Sequence, residues 1–184
     1  HPEIYVPTSN SEPPIMVVGA GPAGLECAMT LGRRGYELVH VVDSAAKIGG
    51  HLNWVSTLPN FGDWKRVIDW RESQINTRTK VQIRLNSEMS YDDILECGAE
   101  HVIFATGSHW DTSGMSAPLH DYIEGVNADI PAVVTPEQYV IDNKSMGDNV
   151  LVIDNDAYYM GSAMAQLLAQ NGHKVTYATY GETV

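Results

Sequence analysis

Apolar residues fall along the chain in short runs, separated by glycine, proline and small polar residues, and the runs alternate between two periods. Residues 15–18 form a continuous apolar run that predicts a short buried strand. A glycine-rich turn, Gly19 to Gly24, follows. A helix is then expected to about Arg34, with Gly35 as its stop. Residues 38–42 predict a second strand, ending at Asp43. Residues 44–61 read as irregular and contain Gly49 and Gly50. A helix is expected from about Trp64 to Asn76, carrying Trp64, Val67, Ile68 and Ile75. Val81, Ile83 and Leu85 alternate with Gln82 and Arg84, a period of two that predicts a strand. Ser90 is placed to cap a short helix through Leu95, and residues 101–105 form another strand that stops at Thr106-Gly107.

Strands and helices thus alternate, β-α-β-α-β-α-β. This order predicts an α/β fold, a parallel sheet with helices on both faces. Residues 108–134 are a long connection rich in Gly, Pro and Asp. Thr135-Pro136-Glu137-Gln138 has the form of a capping box with proline at the first helical position. A new unit then begins, with a strand at 149–153, a helix at about 158–171 and a strand at 174–178. The expected organisation is an extended lead-in over 1–14, a first domain over 15–108, a connection over 109–148 and a second unit over 149–184. That second unit reads as cut short, and the first residue, His1, points to a piece of a longer chain.

The chain has 184 residues, 43% of them hydrophobic and 18% charged, an ordinary globular composition. A net charge of -12 argues against a nucleic-acid partner or an anionic membrane surface. No apolar run approaches the roughly 20 residues of a membrane span. Cys27 and Cys97 lie 70 residues apart, so they cannot by themselves hold a cluster or a zinc. Cys27 reads as a small core residue, and this cysteine usage suits a reducing cytoplasm. His101, His109 and His120 show no metal spacing, and Trp54, Trp64, Trp70 and Trp110 read as packing residues. No Ser-His-Asp set and no paired acid and base can be argued.

The chemistry sits in "VVGAGPAGLECA", where Gly19, Gly21 and Gly24 stand in G-x-G-x-x-G between a strand and a helix. Asp43 follows 19 residues after Gly24, at the end of the next strand. Gly19 permits the tight turn, Gly21 leaves room for a pyrophosphate, and Gly24 lets the helix pack close to the strand. The helix N-terminus offers N–H groups and a partial positive charge to phosphates. Asp43 can accept from ribose hydroxyls and would repel a 2′-phosphate. The fold expected is therefore a Rossmann-like domain of the FAD/NAD(P)-binding type. His51 could approach a nucleotide or be a loop histidine without chemistry; Arg71 could reach a phosphate or be a solvated helix arginine.

"VLVIDNDAYYMGSAMA", residues 150–165, has the frame of a second such unit, but Asp154, Asn155 and Asp156 stand in its turn and only Gly161 remains near the third glycine position. A carboxylate about 5 Å from a phosphate charge costs roughly 3 kcal/mol at an effective dielectric near 20. A helix N-terminus returns only about 0.3–1 kcal/mol. Tyr158 and Tyr159 add bulk. The expectation is a degenerate unit that takes no nicotinamide dinucleotide.

With "KIGGHLNWVSTLPNFGDWKRVIDWRESQI" (residues 47–75), "HVIFATG" and "TPEQ", the chain resembles the trimethylamine and dimethylamine dehydrogenase family from His1-Pro2-Glu3 to its end. Histamine dehydrogenase looks like a further relative. In folds like the flavoprotein disulfide reductases, a strand ending in Ala-Thr-Gly returns close to the first glycine turn. The family's members are iron–sulfur flavoproteins. Their N-terminal barrel carries covalent FMN and oxidises a small amine, a cysteine cluster holds a [4Fe-4S] centre, and a C-terminal part binds ADP. Electrons leave for an electron-transferring flavoprotein.

The resemblance implies that this chain matches the start of that C-terminal part. The catalytic residues then lie elsewhere, no metal ligand is expected here, and the parent is a cytoplasmic oxidoreductase and a homo-oligomer. It further implies ADP, or the ADP part of FAD, against Gly19, Ala20, Gly21, Pro22, Ala23 and Gly24, with Asp43 on the ribose. Ser44, Ala45, Gly50, His51 and Leu52 are expected to edge the ribose and phosphates. Met89 is expected near the adenine, and Ala105, Thr106 and Gly107 over the turn. Two other readings stay open on the residues alone. One is an FAD-binding domain of an NADPH-dependent dienoyl-CoA-reductase-like enzyme; the other is a nucleotide-binding module with no redox role.

Overall fold

A computed structural model of the chain describes residues 13–116, 118–127 and 129–180. The lead-in expected over 1–14 lies almost wholly outside the described residues. The chain divides into two units. The first runs through Ser56 and then from Asp63 to Gly107; the second takes Thr57–Gly62 and the chain from Ser108 onward.

The first unit holds the expected alternation. It consists of β1 (Ile15–Val18), α1 (Pro22–Arg33), β2 (Val39–Val42), α2 (Leu52–Val55), α3 (Lys65–Arg78), β3 (Gln82–Arg84), α4 (Tyr91–Glu96) and β4 (His101–Phe104). The four strands are parallel in the order β3-β2-β1-β4. Stepping from β1 to β2 to β3 and then back past β1 to β4 reverses direction once. Right-handed crossovers therefore put α1 and α3 on one face and α4 on the other. The packing agrees. Leu25, Ala28 and Met29 of α1 and Ile68 and Ile75 of α3 bury against Ile15, Val17, Val39 and Val41. Met16 points the other way, and its sulfur lies 4.0 Å from the Cys97 thiol just after α4.

Helix α1 buries one stripe at i, i+3 and i+4 spacing, which is why twelve residues hold as a helix. Helix α4 is short and buries nothing, so its N-terminus matters more: Ser90 and Asp93 close a capping box. The Ser90 hydroxyl and N–H hold the Asp93 carboxyl below the usual carboxylate range. Cys27 packs half-buried against the core, and that burial pushes its thiol up.

One helix of the first unit was not expected. The irregular stretch 44–61 contains the single turn α2, too short to show a period. Trp70 is 49% exposed on α3, whereas Trp54 is buried. The tryptophans are thus not uniformly packing residues; the stripe of α3 is set by Ile68 and Ile75.

In the second unit the connection contains a hairpin, β5 (Met115–Ser116) and β6 (Asp121–Tyr122). The helix α5 (Pro136–Val140) follows, capped by Thr135 and Gln138 as expected. Then β7 (Asn149–Asp154), α6 (Tyr159–Gln170) and β8 (Lys174–Thr179) form a strand-helix-strand unit, with β7 and β8 parallel. Met160, Ala163, Met164 and Leu168 of α6 are buried, while Leu151 and Ile153 remain 58% and 45% exposed. Phe61 lies on the Tyr159 ring with centroids 5.1 Å apart, and Asn60 donates to Gln166. Among the described residues no helix is long and apolar enough to cross a membrane.

Leu25 is fully buried between α1 and the sheet. Leu25→Ala is expected to cost about 2–5 kcal/mol of stability, the range for deleting a large side chain from a packed core. The shift of the urea unfolding midpoint measures it.

Candidate nucleotide-binding site

The first unit's site is built from backbone before side chains. Gly19 leaves β1 at φ +109, a conformation that only glycine adopts without strain. A Cβ there would lie 2.2 Å from the Ala105 carbonyl oxygen, and one on Gly24 would lie 1.9 Å from the carbonyl oxygen of Gly19. Both are closer than any side chain allows. The turn is therefore wedged between the end of β4 and the first turn of α1. The Ala105 N–H donates to the Val18 carbonyl at 2.7 Å, which brings Ala105-Thr106-Gly107 beside the turn.

The Gly49-Gly50 loop closes the same turn from another side. The Gly49 N–H donates to the Ala20 carbonyl at 2.8 Å. A Cβ on Gly50 would stand 3.1 Å from the Gly21 Cα. Asn53, the residue after Leu52, donates from its amide to the Ile48 carbonyl and fixes this loop. Its role had no signal in the sequence, because it depends on the fold of α2.

Asp43 is half-buried at the end of β2. One carboxylate oxygen accepts the Ala20 N–H at 2.6 Å and the other accepts the Ala45 N–H at 2.8 Å. The carboxylate ties the glycine turn to the loop after β2 and still has lone pairs to offer. Ser44 and Ala45 are exposed beside it. The Ser87 N–H donates to the Asp43 carbonyl, so the chain leading to half-buried Met89 starts at the same point.

The N-terminus of α1 is open. Pro22 has no N–H to satisfy, Gly21 makes no side-chain cap, and no acid stands in the first turn. Helices α4 and α5, by contrast, spend their first N–H groups on capping boxes. An uncapped N-terminus over a glycine turn, backed by a carboxylate one strand away, fits a nucleotide diphosphate and its ribose. Arg71 is not directed at a phosphate. Its guanidinium pairs with Glu26 at 2.8 Å and donates to the Val67 carbonyl.

The second unit's turn is built differently. Asp154 is 6% exposed at the end of β7. Its Oδ1 accepts the N–H of Asp156 at 3.2 Å and of Ala157 at 3.0 Å. Its Oδ2 accepts the Tyr177 hydroxyl from β8 in a short hydrogen bond. Burial, and then that hydrogen bond, push the Tyr177 phenol up. Asp156, by contrast, is exposed.

This fold and site define a nucleotide-binding module of the oxidoreductase type, with a Rossmann-like parallel sheet and helices. An NAD(P)-binding Rossmann-like domain family matches residues 17–77. An OYE-like second alpha/beta domain family matches residues 134–183. The chain is 44% identical to dimethylamine dehydrogenase from a Hyphomicrobium species over 97% of its own length and 25% of that protein. The solved structure of 6-hydroxypseudooxynicotine amine oxidase from Pseudomonas geniculata superposes with a TM-score of 0.86 at 41% identity, over 97% of this chain and 26% of that one. Histamine dehydrogenase from a Rhizobium species superposes at 0.85 with 35% identity, over 99% and 26%. The chain belongs to the trimethylamine and dimethylamine dehydrogenase family, and it spans about a quarter of the length of the relatives it matches.

Two outcomes follow from this geometry. Gly24→Ala forces a methyl group onto a backbone oxygen that cannot yield. It is expected to destabilise the chain by at least the roughly 1–3 kcal/mol of ordinary overpacking, measured by thermal or urea unfolding. Tyr177 is held protonated in the fold. Its contribution to stability is whole below the unfolded tyrosine value of about 10 and is lost as pH rises through its higher folded value. An ultraviolet titration is expected to show late-ionising phenols, Tyr159 among them, of which Tyr177→Phe removes one.

Proposed function

We propose that this chain is the ADP-binding part of an iron–sulfur flavoprotein amine dehydrogenase. The parent protein would oxidise a small amine by demethylation or deamination on an FMN held in a barrel outside this chain. It would pass electrons through a [4Fe-4S] centre to an electron-transferring flavoprotein, and act as a homo-oligomer in the cytoplasm. The observation that carries the reading is the open glycine turn with Asp43 beside it, in a chain 44% identical to dimethylamine dehydrogenase.

The residues fit the nucleotide. The N–H groups at the start of α1 face the diphosphate, and Gly21 and Gly50 leave it room. Asp43 accepts from the ribose while holding Ala20, and Ser44, Ala45, His51 and Leu52 border the sugar and phosphates. Met89 borders the adenine, and Ala105, Thr106 and Gly107 back the turn. Pro22 and Ala23 set the entry into the helix. FMN and the iron–sulfur centre would belong to the parent protein outside this chain, whose two cysteines, Cys27 and Cys97, lie 70 residues apart. The chain's own contribution is binding and positioning, and no catalytic residue is assigned to it.

The nucleotide released from the denatured protein identifies the ligand, ADP being expected rather than a yellow flavin. In calorimetry, Asp43→Ala is expected to weaken ADP binding by about 1–3 kcal/mol, the cost of losing charged hydrogen bonds and the order they impose on the turn. Equal affinity in the variant would remove Asp43 from the site.

A further inference from the structure

The Gly49-Gly50 loop meets the first glycine turn through a line of hydrogen bonds that all run one way. The Asn53 side-chain amide donates to the Ile48 carbonyl at 2.9 Å. That carbonyl shares a peptide with the Gly49 N–H, and a trans peptide sets its N–H opposite its C=O. The Gly49 N–H therefore points away from Asn53, and it donates to the Ala20 carbonyl at 2.8 Å. The step then repeats. The Ala20 carbonyl shares a peptide with the Gly21 N–H, which points onward, away from the loop. Among the described residues that N–H donates to no protein acceptor. The next residue, Pro22, has no N–H, so Gly21 carries the first donor at the mouth of the turn.

We propose that Asn53 is a positioning residue for the nucleotide diphosphate. Through the Ile48–Gly49 and Ala20–Gly21 peptides it holds the Gly21 N–H in place as a donor to a phosphate oxygen. This role rests on the first turn taking a nucleotide, as proposed above. Hydrogen bonds in a line polarise one another, so each link leaves the next N–H a stronger donor. An anion is the acceptor that gains most from such a donor.

The loop is built to keep this line in register. Gly49 is buried at φ +110, and a Cβ on it would lie 2.4 Å from Ile68 Cδ1 and 2.9 Å from Asn53 Oδ1. The peptide is thus held between α3 and the Asn53 amide. Ile68 sets how far the loop stands from the core, but its side chain has no polar atom with which to orient a peptide. Asn53 has one, and it is exposed, so it orients the peptide without filling the core. Asp43 works on a different peptide. It accepts the Ala20 N–H and is assigned to the ribose, whereas Asn53 acts at the diphosphate end.

The test compares ADP with adenosine, which lacks the phosphates, on the native chain and on Asn53→Ala. In calorimetry the variant is expected to bind ADP about three- to tenfold more weakly, the range for one lost hydrogen bond. Adenosine affinity, followed through the amide signals of Ser44 and Ala45, is expected to stay the same. In the ligand-free chain the Gly49 amide is expected to exchange with deuterium faster in the variant, with the amides of β1 unaltered. Equal ADP affinity in the two chains overturns the proposal. Parallel losses for ADP and adenosine overturn it too, because they mark a general loosening of the site. Unchanged protection of the Gly49 amide overturns it without any nucleotide. A native chain that binds no ADP overturns the nucleotide reading itself and this role with it, an outcome distinct from the other three.

Discussion

The tightest constraint in the first unit is the contact between Gly24 and the backbone of Gly19. There the helix approaches the strand so closely that no side chain fits between them. The rest of the site depends on this approach. It points the start of α1 at the mouth of the turn and leaves its first N–H groups uncapped. It also brings Ala105 at the end of β4 against the same glycine. Had a methyl group stood there, the helix would lift from the strand and the N–H groups would no longer converge on one point.

Asp43 shows how a binding residue can also be structural. Its carboxylate bonds to the N–H groups of Ala20 and Ala45, so it braces the turn it serves. A charged acceptor holding two backbone donors is stronger than a neutral one, and the turn has few other side chains to steady it. The Gly49-Gly50 loop supplies the remaining support through Ala20. Recognition and rigidity therefore rest on the same few bonds, and a change at Asp43 acts on both.

The second unit repeats the strand-turn-helix frame with the opposite resolution. Its junction is filled by the Asp154 carboxylate, which satisfies turn N–H groups from inside and is itself satisfied by Tyr177. A buried carboxylate is costly unless every lone pair finds a donor, and here β8 and the turn supply them. The frame persists because α6 buries Met160, Ala163, Met164 and Leu168.

Much of this was legible in the chain before any coordinates. The four strands of the first sheet, the helices α1, α3 and α4 and the helix caps at Ser90 and Thr135 follow from local pattern, because each is set by residues within a few positions of one another. The spacing of Gly19, Gly21, Gly24 and Asp43 announced the nucleotide turn for the same reason. The sequence could not show the one-turn helix α2 or the two-residue strands β5 and β6, since elements that short carry no period. It misplaced Trp70, whose side of α3 is decided by which stripe the sheet covers. It also read Asp154 as a charge set against an incoming phosphate. Only the tertiary structure decided that the carboxylate turns inward, because the Tyr177 hydroxyl that holds its other oxygen lies on another strand and the space it fills is left open by a glycine seven residues away.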